Sequence, residues 1–224
     1  MKRKKVADRY VGEYKDGKYH GNGILTSETD EDTYAHLKQY GDVYTYVGEF
    51  HEGKRHGYGV ITFETVKFIG EFKCGKRNGY GVAIFTNGRE FKGNYKDGKR
   101  DGYGVAIFAN GAEFEGNYKD GKRDGHGVDT FADGSKFKGN YKDGKRNGHG
   151  VFTFADGRRL EGEWLNGKPD GEMKYFAQHG NERTLFFRDG ESIDENEYSD
   201  LLNKELEEYT LSLETNPIYI IEIL

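Results

Sequence analysis

The sequence predicts an all-β fold: an elongated, single-layer antiparallel sheet of stacked β-hairpins, followed by a short C-terminal α-helix and a terminal strand. Three observations carry this. Gly48, Gly70, Gly93, Gly116, Gly139 and Gly162 recur at a spacing of 22 and then strictly 23 residues, the mark of one supersecondary unit used many times. Each unit alternates apolar and polar residues with a period of two and is punctuated by Asp-Gly or Asn-Gly pairs, as strands joined by tight turns require. The chain holds 34 Gly, only 2 Pro and 34% hydrophobic residues, with 17 Tyr and 15 Phe, so rings rather than aliphatic side chains must supply the packing.

Taken in order, residues 1–9 form a basic end, "MKRKK" followed by no hydrophobic stretch, which argues against a signal peptide. Seven copies then fill residues 10–182, beginning at Tyr10, Tyr46, Phe68, Phe91, Phe114, Phe137 and Leu160, with an insertion at about 24–45 between the first two. Within a copy, "EFKGNYK" sets Phe91, Gly93 and Tyr95 against Glu90, Lys92, Asn94 and Lys96; "DGKRDG" turns the chain, "YGVAIF" is a second strand, and "NG" or "DG" is a hairpin turn to the next copy. Each two-strand copy advances such a sheet by roughly 10 Å. Residues 183–224 comprise a capping strand in "TLFFRDG", an acidic amphipathic helix and an apolar tail. Ser192 and Glu195 have the spacing of a capping box; Tyr198, Leu201, Leu202, Leu206, Tyr209 and Leu213 follow at helical spacing, and Asn216-Pro217 stops the helix. The strand Ile218 to Leu224 needs cover, either on this chain or as the joint of a homodimer.

"GNYKDGKR" occurs three times, at Gly93 to Arg100, Gly116 to Arg123 and Gly139 to Arg146, and nearly matches a phosphate-binding loop. Such a loop needs a helix N-terminus at the phosphate and a hydroxyl after the Lys to hold magnesium. Arg occupies the hydroxyl's place and a strand follows. The stretch is therefore a β-turn in which Gly98 and its equivalents take positive φ.

Tyr46-x-Gly48-Glu49-Phe50-x-x-Gly53-Lys54-x-His56-Gly57-x-Gly59 resembles the MORN repeat: an aromatic, a spaced Gly-Glu-aromatic, Gly-Lys, then Gly-x-Gly. The resemblance covers Tyr10 to Glu182. Phe leads copies three to six, Asn94, Asn117 and Asn140 replace the Glu, Trp164 alone keeps the family's tryptophan, and copy seven reads Gly171-Glu172-Met173, as a terminal cap would. The resemblance implies a curved trough of hairpins that binds partners, and points toward cytoskeletal, ciliary or motor-associated assemblies.

Strand parity groups Phe91, Tyr95 and Phe108 with Phe114, Tyr118 and Phe131 and with Phe137, Tyr141 and Phe154. These nine rings are expected on one face, packed on one another and offering a furrow to a helix or extended peptide of a larger protein. The function expected is that of a non-enzymatic interaction scaffold in the cytoplasm. The alternative is a peripheral membrane tether, in which Lys76/Arg77, Lys99/Arg100, Lys122/Arg123 and Lys145/Arg146 along the turn edge meet anionic phospholipids, as proposed for the family. Charge is uneven: Phe68 to Lys168 has 19 basic and 14 acidic residues, whereas Pro169 to Leu224 has 4 and 14. A net charge of -5 argues against nucleic acid.

No cofactor or metal is expected. His20 and His56 hold one repeat position and His126 and His149 another, so equivalent imidazoles stand ~10 Å apart, too far to share an ion. Cys74, the single cysteine, replaces a turn Asp and fits a reducing compartment. No carboxylate pair or Ser, His and Asp set stands outside the repetition, whereas catalysis needs an asymmetric site.

Overall fold

The computed structural model describes residues 8–28, 43–178 and 180–204. Sixteen antiparallel strands are hydrogen-bonded in the order in which the chain makes them. Contacts divide the chain into two compact units, Met1–Gly134 with Tyr141–Gly144, and Ser135–Asn140 with Lys145–Leu224. The first holds β1 (Arg9–Lys15), β2 (Lys18–Glu28), β3 (Val43–His51), β4 (Lys54–Thr62), β5 (Val66–Lys73), β6 (Lys76–Phe85), β7 (Glu90–Lys96), β8 (Lys99–Ile107), β9 (Glu113–Lys119) and β10 (Lys122–Thr130). Strand β11 (Lys136–Lys142) belongs partly to each, and the second unit holds β12 (Lys145–Thr153), β13 (Arg159–Leu165), β14 (Lys168–Phe176), β15 (Glu182–Arg188) and β16 (Glu191–Ile193).

The turn inside each copy follows from its residues. Lys96 pairs with Lys99 across two residues, Asp97 at φ 50° and Gly98 at φ 88°. Two positive φ values in succession match the twist of the flanking strands, and Asp, Asn and Gly bear them at least cost. Asp16, Glu52, Cys74, Asp97, Asp120, Asp143, Asn166 and Asp189 all take φ between 49° and 52°. The last of these turns an eighth hairpin, β15 to β16, where the sequence suggested one further strand. Turns of successive copies are joined: the Gly98 N–H donates to the Arg77 carbonyl at 2.9 Å, and Gly121 to Arg100 and Gly144 to Arg123 at 2.8 Å. Copies two and three are joined by a two-residue turn, Phe63 N–H donating to the Val66 carbonyl at 2.8 Å, but between copies three and four, four and five, and six and seven the connection is longer than the two-residue hairpin that "NG" suggests. Phe108 N–H donates to the Ala112 carbonyl at 2.8 Å, enclosing Ala109, Asn110 and Gly111, and Asn110 Oδ1 accepts from the Ala112 amide. A three-residue loop closed on a positive-φ Gly is the next hairpin form up in size.

Packing in the first unit rests on glycine. Gly93 pairs directly with Gly104, and the far end of the Phe91 ring lies over the pair. A Cβ on Gly104 would come within 2.5 Å of Phe91 Cζ, and one on Gly93 within 2.6 Å of the Gly104 Cα. Two paired positions without side chains thus make the bed for one ring. Phe68 lies the same way over Gly70 and Gly81, and Phe114 over Gly116 and Gly127. Each ring also meets two others edge to face. Phe91 touches Tyr95 of its own strand at 5.4 Å and 82°, and Tyr118 of the next copy at 5.2 Å and 89°. The series Tyr46, Phe72, Phe68, Tyr95, Phe91, Tyr118, Phe114, Tyr141 is continuous by such contacts. Each is worth about 0.5–1.5 kcal/mol beyond the area it buries.

The second unit begins the same way, with Phe137 over Gly139 and Gly150, and ends it differently. Trp164 meets Phe137 edge to face at 5.0 Å and donates from Nε1 to the Gly150 carbonyl at 3.2 Å. Leu160 stands where the leading ring would be, and Gly162 faces Met173, whose fully buried side chain fills the vacated space. A helix over residues 195–204 follows, with Tyr198 packed on Phe186 at 5.0 Å. Its cap is Asp194, whose Oδ1 accepts from the Glu197 amide at 2.9 Å, and not Ser192, which lies in β16. Asp and Ser cap equally well, and the strand claimed the earlier residue. The predicted continuation through Leu206, Tyr209 and Leu213, and the tail Ile218 to Leu224, lie outside the described residues. Among those described, no helix is long and apolar enough to cross a membrane.

Replacing Gly104 by Ala is expected to cost about 1–3 kcal/mol in urea unfolding, because the ring above it has no free space to enter. Replacing Cys74 by Asn, at φ 49° with the side chain exposed, is expected to raise stability by roughly 0.5 kcal/mol, read as a higher urea midpoint.

Candidate functional site

The register assigns side chains to two faces. Phe91, Gly93 and Tyr95 pair with Ala106, Gly104 and Arg100, so these residues and Phe108 share the ring face, while Lys92, Asn94, Tyr103, Val105 and Ile107 point the other way. All nine rings expected to meet a partner are closed in to some degree. Phe91, Phe114 and Phe137 are 0% exposed, Tyr95, Tyr118 and Tyr141 are buried, and Phe108, Phe131 and Phe154 are half-buried.

Seven of them are covered further by the arginine of a Lys-Arg turn, while over Phe154 it is Arg158 that lies at 5.1 Å. Arg100 Cζ sits 4.1 Å from the Phe91 ring centre and 5.7 Å from that of Tyr118; Arg123 sits 4.2 Å from Phe114 and 5.7 Å from Tyr141. In the second unit Arg146 lies 4.5 Å from Phe137 and 5.1 Å from Trp164. Arg77 covers Phe68 and Tyr95 and donates from Nη2 to the Gly98 carbonyl at 2.9 Å. Guanidinium over a ring face is attractive, most of all when water is kept out. The lysines part company with their neighbours. Lys99 and Lys122 pair with Asp120 and Asp143 of the next turn at 2.9 Å, bonds that hold both carboxyls below the usual range. Lys76 and Lys145 are exposed. The pairs of cations read from sequence are thus split, Lys outward into ion pairs or water and Arg inward over rings.

Burial also acts on the phenols. Desolvation pushes the Tyr118 hydroxyl up despite Arg100 and Arg123, and drives Tyr46 far above the ordinary value. One buried acid was not legible in the repeat. Asp129 occupies the place of Ala106 and is held by Arg123 Nη1 at 2.8 Å and the Tyr141 hydroxyl at 2.6 Å.

The opposite face is open. Tyr58, Tyr80 and Tyr103 are 58%, 54% and 49% exposed. Each stands on a bulge where three residues of one strand oppose one of its partner, as Arg123 to Gly127 do against Tyr118 to Gly116. The single opposing residue closes the bulge. Glu49 Oε1 accepts from the Tyr58 amide at 3.0 Å and Glu71 Oε1 from the Tyr80 amide at 3.1 Å, whereas Asn94 donates to the Tyr103 carbonyl at 3.3 Å. The family's Glu position and its Asn replacements therefore do one job, by accepting or by donating. The Tyr103 hydroxyl donates to the Glu115 carboxylate.

His20 and His56, expected to be far apart, have His51 between them, with ring centres at 5.2 and 5.5 Å. His51 belongs to a strand-end position that is Lys15, Lys73, Lys96, Lys119 and Lys142 in five other copies and Leu165 in the last, so the repeat gave no sign of it. Among the described residues no group of three or more His, Cys, Asp or Glu is placed to hold a metal ion.

A family model described as MORN repeat matches residues 10–30, 46–65, 68–88, 91–113, 114–136, 137–158 and 161–172. The chain belongs to the MORN repeat family. Its seven matched segments coincide with the seven copies read from the glycines. A comparison with curated proteins finds no match. Among solved structures, the TCP domain of SAS-4 (dCPAP) of Drosophila melanogaster, in complex with a proline-rich motif of Ana2 (dSTIL), is 13% identical, covering 82% of this chain and 94% of that one at a TM-score of 0.43. The wild-type TCP10 domain of Danio rerio CPAP is 15% identical, covering 77% and 76% at a TM-score of 0.40.

Replacing Arg100 by Lys is expected to lower stability by about 1–2 kcal/mol, since an ammonium lacks the planar fork, whereas Lys99→Ala should leave the urea midpoint unchanged. In alkaline titration, Tyr46 and Tyr118 should ionise only above the ordinary phenol value of about 10. Because their folded pKa is raised, the stability they contribute is complete below that pH and lost as pH climbs through the folded value. Absorbance of phenolate that rises in one step at pH 10 would contradict this.

Proposed function

We propose that this MORN array is a non-enzymatic protein-interaction scaffold and that its partner meets the open face of the first unit, not the ring face. The observation that carries the reading is the contrast between the two sides. Rings on one side are closed by glycine, one another and arginine, while Tyr58, Tyr80 and Tyr103 stand about half exposed on the other. Half-exposed tyrosines in a row offer area at little entropy cost, and a polar tip for the rim. Binding to anionic lipid through the Lys-Arg turns gains little support, because the arginines are occupied over the rings and Lys99 and Lys122 are paired.

The test is a capture experiment with the full chain against extract of its native cell. The triple variant Tyr58→Ser, Tyr80→Ser, Tyr103→Ser is expected to fold as the parent does by circular dichroism and to lose a partner that the parent retains, by at least about tenfold. Equal recovery by the two would place the contact elsewhere.

A further inference from the structure

The open face is not uniform along the first unit, and two of its rows change character at the same strand. Register places Val11 beside Ile24, Ile24 beside Val47, Val47 beside Val60, Val60 beside Ile69 and Ile69 beside Val82. Six aliphatic residues on six successive strands thus form one ridge across β1 to β6, of which Val11, Ile24 and Val47 are 61%, 46% and 47% exposed. The next residue in that row is Lys92, paired with Val82, and Glu115 follows after Val105. The row on one flank holds the carboxylates that close the bulges, Glu13, Glu49 and Glu71, each fixed by one oxygen on a backbone amide at 2.9–3.1 Å. From β7 onward this position is Asn94 and then Asn117. On the other flank the row from β1 to β6 runs Arg9, Thr26, Thr45, Thr62, Lys67 and Ile84, low and uncharged only over β2 to β4, with a cation on either side of the threonines. Aliphatic ridge and carboxylate row therefore end together after β6, although neither is needed for the packing of the ring face, which continues unchanged through Phe91 and Phe114.

We infer that the open face of β1 to β6 is the seat of an amphipathic helix with an aliphatic stripe and basic residues along one flank. The inference rests on the scaffold reading and specifies its partner. Five strand spacings of ~4.8 Å give a ridge of roughly 24 Å, the length of a helix of about 16 residues. An added strand would pair at a sheet edge, whereas this ridge crosses the strands in mid-face, as a helix lying in an apolar groove requires. The low threonine flank leaves room for the helix backbone. The fixed glutamates sit where Lys or Arg of the helix would reach, and oriented charge at a rim selects partners more than it tightens them.

The experiment uses the full chain and synthetic helical peptides of about 16 residues carrying one leucine and isoleucine stripe, read by fluorescence anisotropy. One peptide has Lys along a flank, a second has Glu there, and a third has the stripe replaced by Gln. The Lys-flanked peptide is expected to bind at least about tenfold more tightly than either other. Val47→Asp, a change at an exposed position, should abolish that binding with the melting curve retained. Glu71→Gln keeps the acceptor for the Tyr80 amide while removing charge, and should reduce the preference for Lys over Glu even if Val47→Asp perturbs the fold. Equal affinity for the Lys- and Glu-flanked peptides, or binding indifferent to both variants, would overturn the inference. So would self-association abolished by Val47→Asp, which would make a second copy the occupant, or loss of vesicle binding in that variant. Failure here together with loss of the native partner in the tyrosine variant would reject the helix and leave the scaffold standing.

Discussion

Everything in the first unit depends on one arrangement: an aromatic ring lying on a cross-strand pair of glycines, met edge-on by a ring from its own strand and another from the next copy. A sheet one layer thick has no second layer to bury its apolar side. The array solves this by removing side chains beneath the ring, so that Phe91 and Phe114 reach 0% exposure against backbone. Glycine in a strand ordinarily weakens it. Here its absence of Cβ is what makes room for the buried ring.

The arginines complete the enclosure. Arg100 begins at a turn and extends over Phe91, while its carbonyl accepts the amide of the next turn, Gly121, at 2.8 Å. One residue thus ties the ring face of its own copy to the turn of the following one, and so makes neighbouring copies depend on each other, as a linear repeat array must. Where the pattern stops, in copy seven, Met173 and Trp164 take over the volume by other means, and a helix capped by Asp194 follows.

Much of this was legible in the sequence because the chemistry is local. Asp97-Gly98 specifies its turn by φ alone, Cys74 could be recognised as a turn residue by its place in the repeat, and parity placed Phe91, Tyr95 and Phe108 on one face. What sequence could not supply is which face stays open. Rings alternating with lysines read as an exposed furrow, and only the reach of Arg100 across its hairpin and the depth of the Gly93–Gly104 bed show that the furrow is filled. Alternation alone puts Tyr58, Tyr80 and Tyr103, which look like more of the same aromatic packing, on the other side, because the bulge adds two residues and so leaves the parity of its strand unchanged. Asp129 was hidden because its partners, Arg123 and Tyr141, come from two copies. Ser192 lost the helix cap to Asp194 because a strand, invisible in a three-residue stretch, took it first.

The division of labour between the faces is tested most directly by comparing urea unfolding of Phe114→Ala and Tyr103→Ala. Removal of Phe114 should cost about 3–5 kcal/mol, the loss seen for a buried ring, while removal of Tyr103 should stay within about 0.5 kcal/mol, as for an exposed side chain. Equal and small losses in the two variants would contradict the account, because the ring face would then be as open as the other.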